Sequence, residues 1–115
     1  MERIVEEVKK IVDGLHEGII VEVKERKLPY QYIDFVVGFE GLQLKVGYAD
    51  KVTAETKLGK LLVRFGESLS VGKKVNMENL IGRRCTFMTV TDGQYANILP
   101  DTLKPLVAVS EEQVN

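Results

Sequence analysis

Residues equipped for covalent or metal chemistry are scarce in this chain. Cys85 is the only cysteine and His16 the only histidine. Those two cannot supply the four ligands of a structural zinc site. A Cys–His nucleophilic pair needs a motif around it, and none is present. Arg84-Cys85-Thr86-Phe87 instead reads as a strand with Cys85 as a small core residue. Asp34, Asp50, Asp92 and Asp101 fall at turns or strand positions without paired spacing. They nominate no general acid or base. No G-x-S-x-G, H-E-x-x-H, phosphate-loop or dinucleotide fingerprint occurs. The expectation is a protein without catalytic residues, resident metal or cofactor.

A second chemistry needs no reactive group. Single-stranded nucleic acid is held by lysine and arginine on phosphates and by aromatic rings on bases. Lys24, Arg26 and Lys27 run into Tyr30 and Tyr32, Lys45 follows on the next strand, and Arg83 and Arg84 open a later one. These eight residues are the candidate nucleic-acid-binding set. Each also has a plainer interpretation. Tyrosines at i and i+2 commonly cover a sheet face or pack beneath a helix, and Arg83-Arg84 commonly ends a strand in solvent. The net charge is −1, which favours no polyanion by itself. Its distribution is uneven: residues 51–84 hold eight bases against three acids, while residues 1–17 hold three bases against five acids. A basic body with acidic ends is compatible with anion binding.

The elements that would position these residues follow from hydrophobic periodicity. Ile4, Val5, Val8, Ile11, Val12 and Leu15 form one stripe at helical spacing, which predicts an amphipathic helix over residues 2–15, stopped by Gly14 and Gly18. Ile19, Val21 and Val23 then alternate with Ile20, Glu22 and Lys24 as a first strand. A charged loop ending at Pro29 leads to a second strand over 30–39, with Gln31, Ile33, Phe35, Val37 and Phe39 on one face. Glu40-Gly41 is a tight turn into a third strand over 42–48. Thr53 or Thr56 caps a helix whose Leu58, Leu61, Leu62 and Phe65 share a face and which Gly66 ends. Gly59 inside that helix costs about 1 kcal/mol against alanine, so a close packing contact is expected there. Gly38, Gly41, Gly47, Gly59 and Gly66 read as turns, bulges and caps rather than a phosphate cradle. One helical turn over 76–81, a fourth strand over 83–91, an Asp92-Gly93 hairpin and a fifth strand over 95–99 complete the pattern. Leu106–Val109 adds a short edge strand.

Three strands, a helix and two hairpin-linked strands are the element order of a five-stranded oligonucleotide/oligosaccharide-binding (OB) barrel, the helix plugging one end. The expected fold is therefore mainly β, an OB-like barrel over 18–109 with an N-terminal helix over 1–17 and a frayed tail over 110–115, in one domain. Thr56-Lys57-Leu58-Gly59-Lys60-Leu61-Leu62, Leu80-Ile81-Gly82-Arg83-Arg84-Cys85 and Gly93-Gln94-Tyr95-Ala96-Asn97-Ile98 resemble the second half of small archaeal and phage proteins of the OB-like, single-strand-binding type. The resemblance covers about residues 53–105 and implies chiefly the strand–helix–strand frame; with the candidate set above, the first expectation is weak, sequence-tolerant binding of single-stranded DNA or RNA. The second expectation is a protein-interaction or assembly module that pairs through its N-terminal helix, as a homodimer or with another protein, without nucleic-acid activity. The longest apolar runs are far below the roughly 20 residues of a membrane helix. The acidic N-terminus is unlike a signal peptide, and the lone cysteine fits a reducing compartment. The expected location is the cytoplasm, with no membrane partner.

Overall fold

The computed structural model describes residues 1–5, 11–93 and 95–107. Among the described residues six strands form one antiparallel sheet: β1 (Gly14–Arg26), β2 (Tyr32–Phe39), β3 (Leu42–Ala49), β4 (Arg84–Asp92), β5 (Tyr95–Ile98) and β6 (Lys104–Pro105). The strand order is β3-β2-β1-β4-β5, and β6 pairs with β4. The expected meander of the first three strands is present. Among the described residues no ladder joins β3 to β5, so the sheet is not closed into a barrel by hydrogen bonds. No described helix is long and apolar enough to cross a membrane.

The N-terminal helix expected over 2–15 is not seen. Residues 1–5 and 11–13 carry no helix, Gly14 and Leu15 belong to β1, and residues 6–10 lie outside the described residues. β1 is accordingly a 13-residue strand. Its N-terminal half pairs with β4 (Gly14 opposite Thr89, Ile19 opposite Arg84) and its C-terminal half with β2 (Ile19 opposite Gly38, Arg26 opposite Tyr32). A bulge falls between Ile20 and Glu22, so Val21 has no partner on β2. Such an insertion bends the strand and shifts which side chains face inward. The inward positions run Gly14, His16, Gly18, Ile20 and then Val23, not Ile19, Val21 and Val23. Gly18 is forced by packing, because a Cβ there would meet the Gly38 carbonyl oxygen at 2.7 Å.

The core forms on the inner face. Ile33, Phe35, Val37 and Phe39 of β2, Val46 and Tyr48 of β3, and Cys85 and Phe87 of β4 are buried, in agreement with their alternation. Phe35 meets Tyr48 edge-on at 5.7 Å and Phe39 meets Phe87 edge-on at 5.2 Å. The one α-helix among the described residues, α1 (Lys57–Arg64), lies between β3 and β4 in sequence and buries Leu58, Leu61 and Leu62 completely. Thr56 is its cap, accepting from the Gly59 N–H at 3.1 Å. Arg64 ties α1 to the C-terminal segment by donating to the carbonyls of Leu103 (2.8 Å) and Pro100 (3.3 Å). The Tyr48 hydroxyl donates to the same Pro100 carbonyl at 2.7 Å. A 3-10 turn, Met77–Leu80, stands where one helical turn is expected. The expected edge strand over 106–109 is replaced by β6, two residues earlier; Ala108, Val109 and the expected frayed tail over 110–115 lie outside the described residues.

Candidate nucleic-acid interface

Residues directly opposite in an antiparallel sheet point to the same side. The register therefore assembles the outer face of β1–β3 in rows. Arg26, Tyr32 and Ala49 form one row, Lys24, Asp34 and Gly47 the next, and Glu22, Val36 and Lys45 a third. Four of the eight candidates, Lys24, Arg26, Tyr32 and Lys45, thus share one surface. Lys27 and Tyr30 stand in the adjoining β1–β2 loop, where Tyr30 is 71% exposed.

The centre of this face is a fork. Asp34 is buried, and its carboxylate accepts two hydrogen bonds from Arg26, from Nε to Oδ2 at 2.8 Å and from Nη2 to Oδ1 at 3.1 Å. The same guanidinium lies 4.6 Å over the Tyr32 ring. The hydrogen bond to Asp34 raises the Arg26 pKa further above its already high value. Gly47 makes room for the fork. A Cβ there would meet Asp34 Oδ1 at 2.6 Å, Arg26 Nη2 at 3.0 Å and the Tyr32 ring at 3.2 Å. Gly47 is thus a mid-strand glycine serving a close approach, not a turn or bulge.

The remaining charges are unevenly partnered. Lys24 lies 3.6 Å from Glu22. Among the described residues, Lys27 and Lys45 have no carboxylate within 4.0 Å. Arg84 is exposed on the outer side of β4, in the row Arg84, Ile19, Gly38 and Gln43 that continues the same sheet face. Arg83 is turned elsewhere. Its Nη1 donates to the carbonyl of Phe65 at 3.3 Å, and its guanidinium sits 5.4 Å over the Phe65 ring, so it caps the C-terminal end of α1.

Tyr32 does not stand free for stacking, because one of its faces carries Arg26. The cover is a guanidinium and not a helix. Asp34 and Gly47 were not in the candidate set. Their signal in the sequence is faint: a single carboxylate within the apolar run Ile33–Phe39, and a glycine two residues past Lys45.

The two residues best suited to reactivity are occupied structurally. The Cys85 thiol is fully buried, and that burial pushes its pKa up to about 11. His16 packs against Phe39 and Phe87, and its Nε2 lies 2.6 Å from the Val12 carbonyl oxygen and 3.1 Å from Thr89 Oγ1. Among the described residues no group of three or more histidine, cysteine or acidic side chains is arranged to hold a metal ion. No protein-family model matches the chain, and no curated protein matches it.

Proposed function

We propose that this chain is an OB-like module that binds single-stranded DNA or RNA, weakly and with tolerance of sequence, on the outer face of β1–β3. The observation that carries the proposal is the gathering of Lys24, Arg26, Tyr32 and Lys45 on one sheet face, with exposed Lys27 and Tyr30 in the loop beside it. Cations beside planar groups are what a single strand requires. The strand order, the long bulged β1 shared between β2 and β4, and a helix between β3 and β4 support the OB-like plan. In that plan the second and third strands and the loop after the first carry the ligand.

Fluorescence anisotropy of a labelled 30-mer of oligo-dT and of a mixed-sequence RNA, at low and physiological salt, tests it. Saturable binding weakened by Tyr30→Ala and by Lys45→Ala is the expected result. No saturable binding of either probe at low salt refutes it.

One observation favours a second function, protein contact or assembly. Leu15 faces its neighbour Met88 on the outer side of β1 and β4, and Ile19, Val21 and Val90 are also exposed. The strip replaces the N-terminal helix as the surface for such contact. Concentration-dependent sedimentation that Leu15→Glu abolishes is the result that would favour it.

A further inference from the structure

We infer that the stacking surface of this face is the Arg26 guanidinium rather than the Tyr32 ring, and that Asp34 is the residue that positions it for a nucleobase. The inference rests on the single-strand proposal and adds to it which plane meets the base and what holds that plane.

An ion pair sunk into a sheet surface contributes little net stability, because desolvating the carboxylate offsets most of the attraction. The Asp34 side chain is 7% exposed and that of Arg26 is 43% exposed. The pair does fix an orientation. One edge of the guanidinium is bound by both carboxylate oxygens, its Cζ stands 4.6 Å over the Tyr32 ring, and Gly47 leaves the space in which the fork sits. Among the described residues Arg26 Nη1 makes no hydrogen bond. A fixed plane with a free donor edge remains, between the Lys24 row and the exposed loop that carries Tyr30. Bases stack on guanidinium planes as they do on aromatic rings. A guanidinium anchored beforehand binds with less ordering cost than a free arginine. Tyr32 is then a backing plate and Asp34 a positioning residue that never touches the ligand.

Charge and positioning predict opposite signs, and this makes the inference testable. Removing an acid from a face that binds a polyanion strengthens binding if only charge matters. If Asp34 positions Arg26, Asp34→Asn weakens binding although the protein becomes more positive. Arg26→Lys keeps the charge and loses both the plane and the fork, so it behaves like Arg26→Ala. The experiment is oligo-dT anisotropy on the full chain and these three variants, with folding followed by circular dichroism. The Arg26 Nε–H resonance reports the fork in solution, and a sharp, slowly exchanging signal is expected in the wild type. Loss of one stacked base lowers affinity by about 5- to 150-fold, and that is the drop expected for both Asp34→Asn and Arg26→Lys. Unchanged or tighter binding by Asp34→Asn, or wild-type affinity in Arg26→Lys, overturns the inference and leaves the single-strand proposal standing. A wild type that binds no oligonucleotide overturns both. If Asp34→Asn does not fold, Arg26→Lys decides alone.

Discussion

Gly59→Ala sets helix propensity against packing. Gly59 is the third residue of α1, and in a solvated helix its replacement by alanine stabilises by about 1 kcal/mol. The structure reverses the sign. A Cβ at Gly59 would overlap the Thr53 carbonyl oxygen and stand 3.1 Å from Thr56 Oγ1. The nearer obstacle is backbone, which has no rotamer by which to withdraw. The Thr53 carbonyl also accepts from the Thr56 N–H at 3.3 Å and from the Thr56 hydroxyl at 3.2 Å, and Thr56 is the helix cap. Retreat of that carbonyl therefore strains the cap as well as the loop. Overpacking of this kind costs about 1–3 kcal/mol, and each compromised hydrogen bond adds about 0.5–1.5 kcal/mol. Set against the propensity gain, and with both hydrogen bonds compromised, the net expected change is a loss of about 1–5 kcal/mol. Urea unfolding followed by circular dichroism measures it, with Val63→Ala, an exposed position of the same helix, as the control in which propensity acts alone. A Gly59→Ala protein more stable than wild type would refute the packing account of α1.

Further expectations concern stability and the buried thiol. Glu40 is the only described non-glycine residue with positive φ, at 51°, and with Gly41 at 75° it makes the two-residue turn between β2 and β3. Glu40→Asn suits that turn better and should stabilise by about 0.5–1 kcal/mol in thermal or urea unfolding. Cys85 titrates in the folded protein at about 11 against 9.0 for an unperturbed thiol. The unfolded chain therefore loses this proton first as pH rises, and stability falls between pH 9 and 11, by about 3 kcal/mol for this group. Comparison of wild type with Cys85→Ala across that range isolates the contribution. Equal pH slopes for the two proteins would contradict it.

The legible parts of the sequence are those in which one local pattern decides the outcome. Alternation was enough for the inner faces of β2 and β3, and helical spacing for Leu58, Leu61, Leu62 and Phe65, although Asp34 and Val36 on the opposite face of β2 are buried as well. Thr56 and Gly66 marked the ends of α1 for reasons confined to its termini. β1 failed because two effects coincided. Its inward positions Gly14, His16 and Gly18 are not strongly apolar, and the bulge at Val21 shifts the alternation midway. The apolar residues upstream then joined Leu15 in a helical stripe that the strand does not use. The hairpin end also moved: Asp92 pairs with Tyr95, so the turn begins at Gly93, one residue later than the Asp-Gly pair predicts. The fork at Arg26 was out of reach for another reason. It joins a residue of β1 diagonally to one of β2, and that contact exists only once the register is known. Arg83 likewise reaches Phe65, 18 positions away in sequence, through tertiary folding alone.

How few cations on the proposed face are unpartnered leads to a last prediction, about salt. Within β1–β3 and the loop beside them, Arg26 is bound to Asp34 and Lys24 stands beside Glu22, which leaves Lys27 and Lys45 as the charges open to phosphates there; Arg84 lies beyond them on β4. Two phosphate contacts release few counterions, and the expected log–log slope of affinity against salt is about −1.4. Binding should then fall only about 7-fold between 50 and 200 mM salt, with stacking supplying the rest. The competing segment is residues 51–84, with eight bases against three acids. Arg64 and Arg83 are committed there to backbone carbonyls, but Lys51, Lys57, Lys60, Lys73 and Lys74 are exposed. Phosphate contacts to all five of those lysines would give a slope of about −3.5 and a loss of over 100-fold across the same range. A steep slope insensitive to Lys45→Ala would therefore move the nucleic acid off the β1–β3 face, and a shallow one that Lys45→Ala reduces by about 0.7 would keep it there.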